Sequence, residues 1–194
     1  MTPQAPAVRK PRVVRALALS GLAGLGAAWL PACGSSRSSS SPPAVASGIA
    51  VTSPAFRSGD SIPLRFTCVG DNQSPPLSWS GVPSGAVELA VVVDDPDAPG
   101  GTFVHWVLTG LTPTSTGLGP GERPAGTTEA RGSSGEVGYT GPCPPNHQTH
   151  RYRFTVYALR TKASVAAGAS PSEVVSAIRS ASLATGTLVA RFGR

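Results

Sequence analysis

Residues 87–108 read VELAVVVDDPDAPGGTFVHWVL. Val87 to Val93 is a near-continuous apolar run rich in β-branched residues, interrupted only by Glu88. It lacks the strict alternation of a half-exposed strand, so it reads as a strand buried on both faces. Pro96, Pro99, Gly100 and Gly101 then stop it, and TFVHWVL starts a second strand. Two polar features sit inside this apolar framework. His105 interrupts the second strand, and a buried imidazole needs partners for its ring nitrogens; a hydrogen-bonded core histidine is the plainer reading. Asp95 and Asp97 flank Pro96 at the end of the first strand. In an extended stretch, which prolines favour, the two carboxylates project to the same side. Asp-Pro and Pro-Gly pairs are equally ordinary turn chemistry.

Further along, HRYRFTVYAL (150–159) alternates cleanly. His150, Tyr152, Phe154, Val156 and Ala158 share one face, and Arg151, Arg153, Thr155 and Tyr157 the other. SIPLRFTC (61–68) is a short strand candidate, SPPLSWSGVP (74–83) a proline-bounded edge strand or loop, and TLVARF (187–192) a last strand. Residues 110–135, rich in Gly, Thr, Ser and Pro, read as a long surface connection. Ser170, Pro171 and Glu173 form a capping-box signature, after which Val174, Ala177, Ile178 and Ala181 recur at helical spacing. The sum is one strand-dominated domain with a helix packed late, without internal repeats.

Composition agrees. Of 194 residues, 23 are Gly and 20 Pro, which favours turns over helices, while 40% apolar content argues against disorder. The net charge of +6 is misleading, because Arg9, Lys10, Arg12 and Arg15 lie in the first 15 residues. Without them 12 basic residues face 10 acidic ones, too slight an excess to argue for nucleic acid. Those cations precede an uncharged run, residues 16–30, shorter than the roughly 20 residues that span a bilayer. This is the pattern of a signal peptide over 1–32. LPAC (30–33) resembles a bacterial lipoprotein box, although Pro31 stands where a small non-proline residue is usual. Cys33 is then the expected lipidation site and mature N-terminus, with ordinary secretion and an uncleaved anchor as alternatives. Residues 33–48 read as a lipidated cysteine and a Ser/Pro-rich tether reaching about 20 Å, and residues 49–194 as the globular domain. Cys68 and Cys143 remain, and two cysteines in an exported protein suggest one disulfide, with two buried thiols as the alternative.

A third polar stretch, YTGPCPPNHQTHRY (139–152), sets a proline-stiffened loop before the histidine-bearing strand. With Asp95, Asp97 and His105 it supplies carboxylates, imidazoles, a phenol and loop N–H groups. Such a set can hold a divalent metal for hydrolysis, or donate hydrogen bonds to an anion such as phosphate. Spacing alone leaves both open, and no HExxH, GxSxG, Walker or CxxC motif decides between them.

DDPDAP (94–99), FVHWV (103–107) and GYTGPCPPNHQTHRYRFTVYAL (138–159) together closely resemble the phosphatidylethanolamine-binding protein family, nearest to its bacterial Raf kinase inhibitor-like branch. The resemblance spans about residues 49–194. It implies a mainly β (α+β) fold: a Greek-key β-sandwich with flanking helices. It also implies a small anion pocket accepting phosphate-bearing groups. Carried over by position, Asp95, Asp97, Pro99, His105, Gly141, Pro144, Pro145, His150 and Tyr152 are its expected residues. Imidazoles, the Tyr152 hydroxyl and loop N–H groups are the expected donors and the aspartates their orienters, with binding strengthening as an imidazole protonates. Cys68 and Cys143 both lie in family motifs near the pocket, which implies that they bridge and pin its rim. The loop NHQT (146–149) departs from the branch's glycine-containing link, so His147 is extra and read as solvated. RGSSGE (131–136) stands where relatives often carry an Asn and an aromatic, and Ala181 where many carry a histidine.

The expected function is binding rather than catalysis: an exported, lipid-anchored protein of the cell envelope, with no cofactor and no metal. Its expected partners are a phosphate-bearing small molecule or lipid headgroup and the membrane through the N-terminal lipid, with a protein partner as a further candidate; nucleic acid is not among them. Two alternatives stand beside this. One is an inhibitor of an extracellular hydrolase or protease acting through residues 112–135. The other is a metal-assisted hydrolase using Asp95, Asp97, His105 and His150.

Overall fold

The computed structural model describes residues 48–164 and 169–194. The leader, Cys33 and nearly all of the tether lie outside the described residues. Eight strands and one α-helix follow in the order β1 Ala50–Thr52, β2 Leu77–Ser80, β3 Glu88–Asp95, β4 Phe103–Leu111, β5 Gly117–Leu118, β6 Thr128–Glu129, β7 Thr149–Leu159, α1 Pro171–Ala181 and β8 Ser182–Gly193. They make a three-stranded sheet, β1-β2-β5, and a five-stranded sheet, β6-β4-β3-β7-β8, with every strand pair antiparallel.

The apolar run becomes strand β3, Glu88–Asp95, buried along its whole length, while Val87 lies just before it and is exposed. Successive side chains serve two cores. Leu89, Val91 and Val93 pack with Leu77, Trp79, Phe154 and Val156 between the sheets. Ala90 and Val92 pack with Val174, Val175 and Ile178 beneath α1. The family of strands is a Greek key: β3, β4 and β6 succeed one another across the sheet, and β7 returns to lie beside β3. That return, residues 130–148, arrives where β3 ends and β4 and β7 begin, bringing the proline-rich loop over the end of the sheet.

Several elements differ from the sequence reading. SIPLRFTC forms no strand of its own; Leu64–Phe66 is a 3₁₀ turn and only Ser61 bridges to Arg191. Pro63 has no N–H for a ladder, and burying Phe66 fixes the turn. SPPLSWSGVP supplies the central strand of the small sheet, paired on both sides. Pro75, Pro76 and Pro83 fall outside Leu77–Ser80, so no ladder donor is lost. Residues 110–135 include β5 and β6, which tie the connection to both sheets. The last strand begins directly after the helix, five residues before TLVARF. Flanking helices were expected; α1 is the single α-helix among the described residues. Its capping box is present, with Glu173 N–H donating to Ser170 Oγ and Ser170 N–H to Glu173 Oε2. Its buried stripe is Val174, Val175 and Ile178, while Ala177 is exposed, because the helix meets the sheet rotated toward the larger side chains.

Candidate functional site

A cavity of about 250 Å³ opens at the sheet end reached by the Greek-key return. β3 contributes Asp95, β4 Phe103 and His105, and β7 His150 and Tyr152. The turn after β3 contributes Pro99, and the return loop contributes Gly141, Cys143, Pro144 and Pro145. A local irregularity in β4 aims His105. Val93 pairs with Trp106 and Asp94 with Val104, so His105 is the extra residue of a β-bulge. The bulge lets Trp106 enter the core while the His105 ring packs tilted against Phe103 at 4.7 Å and meets Tyr152 edge-on at 5.3 Å.

Each polar group has a defined role in the wall. His105 Nδ1–H donates to the Thr140 carbonyl at 2.7 Å, and Thr140 N–H donates back to the His105 carbonyl at 3.0 Å. Burial pushes the His105 pKa below its ordinary 6.5, partly opposed by the Thr140 carbonyl. His105 is therefore a neutral imidazole whose Nε2 carries a lone pair. It offers the cavity an acceptor, where a donor was expected. His150 Nδ1–H donates to Asp95 Oδ2 at 2.7 Å, both groups being buried. Asp95 Oδ1 accepts from Asp97 N–H at 2.8 Å, which closes the turn around Pro96. Asp95 thus orients the His150 ring. The Tyr152 hydroxyl is fully buried and has no hydrogen-bond partner among the described residues. Burial, and then the charges of Asp95 and Asp97, push its pKa up, so the phenol keeps its proton as a donor.

Asp97 does not join this wall. The chain turns at Pro96, and the Asp97 carboxylate leaves the cavity to accept from Arg151 Nε at 2.9 Å and from the Arg151 amide at 2.9 Å. With a third bond from Arg151 Nη2 to Asp97 Oδ1, the Arg151 side chain and then its amide hold the carboxyl well below the usual carboxylate range. The same-side arrangement belonged to an extended stretch, and a turn forms instead. The loop N–H donors are also few. Residues 142, 144 and 145 are prolines, and Gly141 N–H is spent on Asn72 Oδ1 at 2.7 Å.

The rim is held by several independent ties. Cys68 and Cys143 are disulfide-bonded, with Cα atoms 5.4 Å apart, and Cys68 N–H donates to the Pro142 carbonyl at 3.1 Å. Gly141 is required by this closeness, since a Cβ there would lie 2.8 Å from both Asn72 Oδ1 and the Thr67 carbonyl carbon. Arg194 Nε donates to the Pro144 carbonyl at 2.6 Å. His147, read as solvated, is exposed and absent from the wall. Phe103, Thr140, Cys143 as a wall residue and Gln148 were not picked out from sequence. Phe103 and Gln148 each lie two residues before a selected histidine, so period-2 reasoning could have found them. Thr140 acts through its backbone, which leaves no mark in sequence.

A larger, more open cleft of about 440 Å³ is lined by Asp71, Asn72, Arg123, Glu129 and Tyr139, among others. There Arg123 and Trp106 Nε1–H are both bonded to the Glu129 carboxylate. Among the described residues no group of three His, Cys, Asp or Glu side chains is gathered to hold a metal.

A two-sheet β-domain with a small, disulfide-rimmed cavity at a Greek-key return is the class defined so far. The chain belongs to the phosphatidylethanolamine-binding protein family, whose model matches residues 52–193. LppC of Mycobacterium tuberculosis, named as a candidate lipoprotein, is 45% identical over 152 residues, covering 78% of this chain and 75% of LppC. A UPF0098 protein of Methanothermobacter thermautotrophicus is 43% identical over 145 residues, 72% of this chain and 95% of its own. Among solved structures, E. coli YbcL, described as a member of the mammalian family, superposes with TM-score 0.71 and 33% identity. It matches over 75% of this chain and 98% of its own. CT736 of Chlamydia trachomatis, a candidate homologue of the same family, gives TM-score 0.69 and 34% identity over 76% and 99%.

Proposed function

We propose that this protein is an exported, envelope-anchored binding protein whose cavity takes a phosphate-bearing group, free or on a lipid headgroup. The buried, unpartnered Tyr152 hydroxyl carries the reading. A buried hydroxyl left unsatisfied costs about 1–3 kcal/mol, and an anionic oxygen that accepts from it removes that cost. His150 is oriented by Asp95 to donate beside it, and His105 offers an acceptor to a protonated phosphoryl oxygen. Asp95, His105, His150 and Tyr152 are the polar contacts in this reading, Gly141, Pro144 and Pro145 the rim, and Pro99 the facing wall. Asp97 acts indirectly, by holding the turn.

Calorimetric titration with inorganic phosphate and with O-phosphoethanolamine tests this and separates the two sources. Tyr152→Phe is expected to weaken binding about tenfold while leaving the melting temperature within a degree or two. Equal binding by the wild type and this variant would sink the reading. Tighter binding of the ester than of the free ion assigns the site to headgroups.

The anchor is proposed from the leader and from the name of LppC. No helix among the described residues is long and apolar enough to cross a membrane. Cys33→Ala is expected to move the protein from the detergent-rich to the aqueous phase on detergent partitioning; unchanged partitioning would count against lipidation at Cys33.

A further inference from the structure

We infer that Gln148 is a built-in competitor for the cavity, filling with its own amide oxygen the hydrogen bond that a phosphoryl oxygen takes from His150. The inference rests on the phosphate-binding reading above. Asp95 occupies His150 Nδ1 at 2.7 Å, so Nε2 is the one ring nitrogen left for a ligand. That nitrogen lies 3.0 Å from Gln148 Oε1. An amide oxygen can only accept, so in this arrangement Nε2 presents an N–H to Gln148. One N–H cannot serve Gln148 and a ligand oxygen with full geometry at once.

The backbone aims Gln148 at this nitrogen. Gln148 and His150 are two residues apart where the chain enters β7, which puts both side chains on one side of an extended segment. The turn before them is fixed at several points. His147 adopts a left-handed conformation (φ 64°), its N–H donates to the Arg194 carbonyl, and Gln148 N–H donates to the Pro145 carbonyl at 3.2 Å. Arg194 also holds Pro144 through its guanidinium. Gln148 itself is exposed, so swinging its side chain away uncovers little apolar surface.

The consequence is selectivity. A neutral acceptor, such as an alcohol or amide oxygen, gains almost nothing by replacing another amide oxygen. A charged phosphoryl oxygen makes a bond roughly twice as strong, so it alone displaces Gln148 profitably. The resident amide screens out neutral polar ligands and lowers the affinity for the charged ones.

Titration calorimetry with inorganic phosphate on the full chain tests this with three variants. Gln148→Ala is expected to tighten binding about fivefold. Gln148→Glu sets a carboxylate on the same nitrogen and is expected to weaken binding more than tenfold. A merely structural role for Gln148 would move both variants in the same direction. Unchanged or weaker binding by Gln148→Ala overturns the competitor, as does Gln148→Glu binding like the wild type. Tyr152→Phe separates the two ideas. If it weakens binding while Gln148→Ala changes nothing, only the competitor fails. If it changes nothing, the phosphate reading falls and takes the competitor with it.

Discussion

Replacing Cys68 and Cys143 together by serine is expected to lower the melting temperature by roughly 10 °C. The bridge closes a loop with a sequence separation of 75 residues. In the chain-entropy account, cutting a loop of that length returns about 4 kcal/mol of freedom to the unfolded chain. The effect reaches the cavity as well, because Cys143 is part of its wall and Cys68 belongs to the segment on which Gly141 and Pro142 rest. With the bridge gone, that rim retains the Asn72, Thr140 and Arg194 hydrogen bonds but no covalent tie. Scanning calorimetry of the wild type with and without reductant should reproduce the variant's shift. A fall of less than about 3 °C would mean that those hydrogen bonds hold the rim unaided. Phosphate affinity should fall in parallel, since an unpinned loop must be ordered again on binding.

Asp95→Ala is expected to cost a similar amount, about 3–5 kcal/mol, for a different reason. Asp95 is an acceptor for two donors at once, His150 Nδ1–H and the Asp97 amide. Its removal leaves a buried imidazole N–H without its acceptor and opens the turn that follows β3. Asp97 would remain tied to Arg151 at the surface, so the damage should be confined to the cavity. Chemical denaturation of Asp95→Ala, His150→Ala and the double variant measures the coupling. Strict additivity of the two single effects would contradict a coupled pair. Phosphate binding should be lost in all three, because His150 is no longer present or no longer oriented.

The framework was legible because burial writes itself into residue type. Residues 89–93 had to be a strand covered on both faces, and the two cores on either side of β3 are that covering. The capping box of α1 is local chemistry, complete within four residues. Strand assignments failed where the decision was not local. Nothing within SIPLRFTC says that Phe66 will be buried by a turn, and nothing within LSWS says that partners will arrive on both sides from residues 50–52 and 117–118. Residues of the cavity wall were legible where the family motifs lie, at Asp95, Pro99, His105, Gly141, Pro144, Pro145, His150 and Tyr152. Asp97 sits in the same motif, yet its carboxylate goes to Arg151, a partner 54 residues away.

By itself the sequence determined the periodicities, the caps, the turn residues and the chemical groups on offer, since these follow from the preferences of each residue and its neighbours. Only the tertiary structure decided what those groups do. It spent the Nδ1–H of His105 on Thr140 and the Gly141 N–H on Asn72, it left the Tyr152 hydroxyl without a partner, and it set Gln148 against His150. Hydrogen-bond capacity belongs to a residue, but whether it is used or free is settled by what the fold brings within 3 Å.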